Sequence, residues 1–244
     1  MTETATLVFI TLTFLLAGWV KGVIGLGLPT VAMGLLSLTM PPVQAAALMV
    51  IPSLVTNIWQ ALAGPAIWPL LRRFGLMMIA IVVGTLISIG LLTGSDTGFV
   101  KTALGLVLIA YGAIGLHGAR MQIHLRLEPL LSPVAGFVTG VISGSTGIFV
   151  IPATPYFSAL GLEKEQLIQA LGLSFSISTL ALAGGLLMHG QFELRAATTS
   201  LIGVVPAFAG MIAGQYLRKR LPQDSFRRWF FVAMLALGVY MVLR

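Results

Sequence analysis

The sequence contains no cysteine. Disulfides and thiolate metal sites are therefore excluded, and cysteine usage leaves the redox compartment open. Charge is scarce too. Charged residues make up 9% of the 244, where a soluble domain carries about 25%. So few charges cannot cover a globular surface, so lipid must be the solvent for much of the chain. The seven acids are Glu3, Asp96, Glu128, Glu163, Glu165, Glu193 and Asp224, all at the ends of apolar stretches or in connections. An apolar core without Asp or Glu argues against a carboxylate proton relay inside the membrane. The three histidines, His117, His124 and His189, are dispersed and show no metal-ligand spacing. Neither a nucleophile–base pair nor a metal cluster of the kind catalysis needs is legible. The sequence thus points to no enzyme, no catalytic residue, no metal and no cofactor.

What the chain has is apolar length. Hydrophobic residues make up 57% and the mean hydropathy is +1.01. A bilayer core of ~30 Å needs about 20 apolar residues per helix. Eight stretches meet or approach that length: 6–40, 42–68, 74–93, 99–117, 129–160, 166–188, 196–217 and 229–243. The longest polar connection, 118–128, leaves no room for a soluble domain. Met1-Thr2-Glu3 lacks the positive start of a signal peptide. The net charge of +7 does not indicate nucleic acid, because the basic residues cluster at the ends of apolar stretches, where orientation signals sit.

The chain also repeats itself. Ala17-Gly18-Trp19-Val20-Lys21-Gly22-Val23-Ile24-Gly25 aligns with Ala135-Gly136-Phe137-Val138-Thr139-Gly140-Val141-Ile142-Ser143. Gln44-Ala45 and Ser53 then match Gln169-Ala170 and Ser178, and Arg72 matches Arg195. Two repeats follow, 1–120 and 121–244. If all eight stretches cross once, the basic residues divide evenly between the two sides. If 6–40 and 129–160 instead fold back as hairpins, Arg72, Arg73, Arg120, Arg126, Lys164, Arg218, Lys219, Arg220, Arg227 and Arg228 share the cytoplasmic side. Only Lys101, Arg195 and Arg244 then face out. That is the bias membrane proteins usually show. Each half then makes an odd number of net crossings, so the second is inverted relative to the first. The expected fold is an all-α, polytopic integral membrane protein. It has two inverted repeats of about four hydrophobic segments, the first segment of each being a broken or re-entrant helix. Such repeats are a signature of secondary transporters. A kinked single span over each long segment is the alternative.

The breaks are expected at Gly25-Leu26-Gly27-Leu28-Pro29 and Ser143-Gly144-Ser145-Thr146-Gly147. Approaching from opposite faces, they would meet near the midplane. A half-helix starting there would offer free N–H groups and a partial positive charge to an anion. Gly18/Gly22 and Gly136/Gly140/Gly144 read better as close helix contacts. Gly25, Gly27, Ser143, Ser145, Thr146 and Gly147 read better as binding elements. Lys21 is the strongly basic residue deep in an apolar stretch, and such a charge normally faces a partner or a cavity. With no embedded acid to neutralise it, an anionic substrate is the natural partner, and snorkelling to the interface is the alternative. Ser53, Thr56, Asn57 and Gln60 share one helical face, and Ser174, Ser176, Ser178 and Thr179 form the corresponding stripe. The expected substrate-binding set is Lys21, Gly25, Gly27, Asn57, Gln60, Ser143, Ser145, Thr146, Gly147 and Ser178. Trp19 and Trp59 read as packing residues, and Trp229 as an interface anchor.

The glycine run from Gly18 to Gly27 with Pro29 resembles the sulfite exporter TauE/SafE family of membrane permeases. The matching run from Gly136 to Gly147 with Pro152, and Pro41-Pro42-Val43-Gln44-Ala45 followed by Asn57, carry the same resemblance. It covers nearly the whole chain. Leu28, where the first half often has another glycine, and Ser145-Thr146 in the second run depart from the usual pattern. The resemblance implies about eight spans in a bacterial cytoplasmic (inner) membrane. It also implies secondary transport of sulfite, sulfoacetate or related organosulfonates, with export favoured over uptake. A passive anion channel or a membrane subunit of a larger complex is the alternative. The partners expected are a small anion and the lipid bilayer. Nucleic acid is not expected, and the sequence is compatible with a homo-oligomer.

Overall fold

A computed structural model describes residues 3–94, 96–118, 122–192, 194–218 and 223–243. Among them the regular elements are all helical. They are α1 (Glu3–Ile24), α2 (Leu28–Leu36), α3 (Pro42–Ala61), α4 (Ile67–Thr93), α5 (Thr97–His117), α6 (Glu128–Thr146), α7 (Ala153–Ala159), α8 (Lys164–Met188), α9 (Leu194–Arg218) and α10 (Gln223–Leu243). A single 3-10 turn, Leu125–Leu127, precedes α6. Eight helices, all except α2 and α7, are long and apolar enough to cross a membrane. Their outer faces carry large exposed apolar side chains, such as Leu12, Ile79, Ile87, Leu106 and Val205. Such a surface is stable only against lipid tails.

Lipid is as apolar as leucine, so helices associate here by close packing rather than by the hydrophobic effect. The glycines make this possible. A methyl group at Gly18 or Gly22 would run into the backbone of Ala207 or Met211 on α9. On α6, one at Gly136, Gly140 or Gly144 would strike Met77, Ile81 or Thr85 on α4. The reading of these glycines as helix contacts therefore holds. In both pairs the contacts ascend together along the two chains, so α1 runs parallel to α9 and α6 parallel to α4. The central pair α3/α8 runs the other way, with Asn57 against Thr179 and Ala61 against Gly172. So does α5/α10, with Gly105 against Gly238 and Gly112 against Leu235.

The two long apolar segments do break and return. α1 ends at Gly25, whose φ of +85° only glycine adopts without strain. Pro29 in the first turn then starts α2. Thr39 and Pro41, beyond α2, lie beside Lys101 at the start of α5, on the face opposite the break. In the second segment Gly147 caps α6 with φ +75°, its N–H donating to Ser143 O at 2.8 Å. α7 returns over 153–159.

The limbs differ from expectation in two respects. α1 has 22 residues and α6 has 19, so each is a full crossing, about 33 and 28 Å at 1.5 Å per residue. Only the return limbs are short, and each break stands at the end of a whole helix rather than halfway along a span. The second break also starts later than expected. Ser143, Gly144, Ser145 and Thr146 are all helical, because Ser145 and Thr146 donate to Val141 O and Ile142 O of their own helix. Hydroxyls bonded in this way let a helix continue.

Sidedness follows from contacts. Lys164, Arg218 and Arg227 border one cavity. The start of α8 also touches the α3–α4 connection, through Gln169 Oε1 accepting from Ala66 N at 2.9 Å. Arg73 on α4 in turn pairs with Glu128 at the start of α6, at 2.6 Å. Arg72, Arg73, Arg126, Lys164, Arg218, Arg227 and Arg228 therefore occupy one face, and Lys101 and the start of α9 the other. Arg120, Glu193, Lys219, Arg220 and Arg244 lie outside the described residues.

Candidate functional site

The central pair α3/α8 and the end of α1 converge on Lys21. Its side chain is 3% exposed, so it does not snorkel to water. The ammonium donates to Thr56 Oγ1 at 3.1 Å and to Asn57 Oδ1. A lysine ammonium can only donate, so Asn57 must present its oxygen there and its amide nitrogen elsewhere. Asn57 Nδ2 donates to Thr179 Oγ1 at 3.3 Å, and Thr179 donates on to Phe175 O at 2.7 Å. Thr56 is saturated in the same way, donating to Pro52 O at 2.8 Å. Lys21 thus has two neutral acceptors for three N–H bonds, and no carboxylate among the described residues contacts it.

The geometry of α3 at this point is set by Pro52. A proline inside a helix removes one N–H and leaves the carbonyl four residues earlier without its donor. That carbonyl is Leu48 O, and it accepts from Ser200 Oγ of α9 at 2.6 Å. Ser200 also accepts from Ile51 N at 3.2 Å. Two turns beyond Pro52, Gln60 Nε2 donates to Gly25 O at 3.2 Å and to Ile168 O at 3.1 Å. Gln60 therefore ties the first break to α8, and its Oε1 is buried with no partner.

Hydrogen bonds link Lys21, Asn57, Gln60 and Gly25, and among the described residues none ties the other expected residues to them. Gly27 is buried, with Val20 and the Phe230 ring within 3.2 Å of where a side chain would start. Gly147 packs against Met33. The first two amides of the second break are already occupied, Gly147 N by Ser143 O and Ile148 N by Thr146 Oγ1 at 3.3 Å. The hydroxyls of Ser145 and Ser178 bond to their own helices. Ser143 Oγ is buried and unpartnered, as are Ser53 and Ser174. Trp19 packs edge-on against Phe226, Trp59 does so against Phe208, and Trp229 is exposed near Arg227 and Arg228.

Two features had no clear sequence signal as parts of this assembly. Gln169 is buried and donates to Ala61 O at 2.7 Å and to Gly64 O, fixing the connection that follows Asn57 and Gln60. Its alignment with Gln44 does not signal burial, since Gln44 itself is exposed. The ion pair Arg73–Glu128 joins residues 55 apart, both of which read as surface charges.

Eight apolar crossings and two broken segments define a multi-pass membrane protein, with a buried lysine whose described partners are neutral. Residues 10–241 match the family model described as Sulfite exporter TauE/SafE, and the chain belongs to that family. Its class is therefore that of a membrane transporter of small anions. No match was found among curated proteins or among solved structures.

Proposed function

We propose that this protein is a secondary transporter that expels sulfite or a small organosulfonate such as sulfoacetate across a bacterial cytoplasmic membrane. The observation that carries the reading is the Lys21 ammonium, buried and facing only the neutral oxygens of Thr56 and Asn57. Lys21 stands in the last turn of α1, and burying a charge without a counter-charge is costly wherever it lies; an anion docked on its third N–H offsets that cost. Lys21, Asn57 and Gln60 are the binding side chains of this proposal, and Gly25 supplies backbone held in place by Gln60.

The repeats 1–120 and 121–244 are part of the same reading. Its support is that each packed helix pair has a counterpart, α1/α9 with α6/α4, while the self-paired helices α3/α8 and α5/α10 run antiparallel. Helices related by an axis in the membrane plane must run so. The face with seven described basic residues is the cytoplasmic one by the charge rule. Export is the downhill direction, since an inside-negative potential assists an expelled monoanion by ~2.3 kcal/mol per 100 mV.

The test is efflux from liposomes containing only the purified protein. Saturable sulfite flux with counterflow is expected. Flux linear in driving force, without counterflow, would make the protein a channel, and no flux at all would refute the assignment.

A further inference from the structure

A cavity of about 260 Å³ opens on the basic face, just beyond the first break. Four features of its lining belong together. Lys164, Arg218 and Arg227 reach it from three different helices. Among the described side chains, which do not include that of Asp224, no acid pairs with any of them. Glu163 and Glu165, the sequence neighbours of Lys164, are exposed and do not line the cavity. Thr154 borders it, and its Oγ1 is buried and without a hydrogen-bond partner, an orphan group that a rotation of the side chain would offer to a ligand. Gly25 presents backbone to the cavity, with nothing within 4 Å of where a side chain would begin. Apart from Ser158, the remaining wall is apolar, from Ile24 and Leu167 to Phe226.

We infer that this cavity is a second anion site, separate from Lys21, for a small monoanion with an apolar body. The charged head lies among Lys164, Arg218 and Arg227, beside Thr154. The body lies on the apolar wall. The volume is slightly under the ~300–1,000 Å³ of ordinary ligand pockets, which restricts the site to small molecules. Gly25 connects the two sites, because it lines the cavity while its carbonyl holds Gln60, one turn from Asn57. On the transport reading, the cavity is the antechamber from which the anion is handed to Lys21. Binding there does not depend on that reading.

The experiment is calorimetric titration of the full chain in phosphatidylcholine nanodiscs with methanesulfonate and benzenesulfonate, two probes with the same head and different bodies. Benzenesulfonate is expected to bind about tenfold more tightly, the worth of burying one small apolar group. Arg218→Gln and Lys164→Gln should each weaken both probes about fivefold or more, with Arg218→Lys restoring part of the loss. Lys21→Met should leave the Arg218-dependent component of benzenesulfonate binding unchanged. Equal affinity for the two probes would overturn the inference, and so would loss of binding in Lys21→Met but not in Arg218→Gln. Nanodiscs containing phosphatidylglycerol separate a soluble anion from a lipid headgroup. Retained benzenesulfonate binding supports the inference. Abolished binding, with phosphatidylglycerol held by the wild type and not by Arg218→Gln, assigns the cavity to lipid and refutes it. Sulfite efflux without benzenesulfonate binding would sink the second site alone, and benzenesulfonate binding without efflux would sink the transport reading alone.

Discussion

The two halves of the chain are alike where helices touch and unlike where chemistry is expected. At the offset that aligns α1 with α6, Lys21 corresponds to Thr139. At the offset that aligns α3 with α8, Thr56, Asn57 and Gln60 correspond to Ala181, Leu182 and Gly185. The first-half group is a hydrogen-bonded cluster around an ammonium. At the second-half positions Thr139 bonds to Ala135 O of its own helix, and Leu182 is buried core. The glycines that seat α1 on α9 and α6 on α4, in contrast, are present in both halves. The comparison teaches that packing constraints act on both halves, because each half must close the same kind of helix contact. A buried positive charge needs only one site, and a second would add a further desolvation cost without a further partner.

The largest effect should come from breaking this asymmetry at its centre. Lys21→Met is expected to lower sulfite efflux about 100-fold, equivalent to ~2.7 kcal/mol. Thr139→Ala should stay within about twofold, since its hydroxyl only bonds back to its own helix. Efflux assays on both, normalised to inserted protein, check the pair. Next comes Asn57→Leu, which makes the first half read like the second. It leaves the ammonium without its amide acceptor, an unmade bond of about 1–3 kcal/mol, and should reduce flux roughly tenfold, chiefly through a higher KM.

Gly22→Leu and Gly140→Leu test the symmetric side of the comparison. Each forces apart a parallel helix pair, and thermal unfolding in detergent should show similar losses, about 1–3 kcal/mol or more. A loss confined to one variant would mean that the two interfaces are not equivalent. Ser200→Ala should cost about 1 kcal/mol, because Leu48 O loses the donor that replaces the missing N–H of Pro52. The smallest effect is expected for Arg73→Gln. Its ion pair with Glu128 is partly exposed and should contribute no more than about 1 kcal/mol.

Much of this was legible in sequence. Eight crossings followed from apolar length, and the close helix contacts from glycine spacing at Gly18/Gly22 and Gly136/Gly140/Gly144. Lys21 and Asn57 were legible as chemistry because polar groups in an apolar stretch require partners. Their mutual contact was not, because they are 36 residues apart on different helices. The second break was misplaced for a local reason. Ser145 and Thr146 look like interruptions, but their hydroxyls bond back to the helix and only Gly147 adopts the left-handed conformation that ends it. Gln169 was illegible as a tether, because a glutamine in the first turns of a helix reads as surface until the α3–α4 connection folds over it. The basic cavity was illegible for a similar reason, since Lys164, Arg218 and Arg227 come from three helix ends that only the bundle brings together.

The most direct test of the account is sulfite binding to purified wild type and to Lys21→Met, measured by isothermal titration in detergent with both proteins shown to be monodisperse and helical. Saturable binding by the wild type, with its tightest component absent from the variant, is the predicted result. Equal dissociation constants for the two would show that the buried ammonium does not hold the anion.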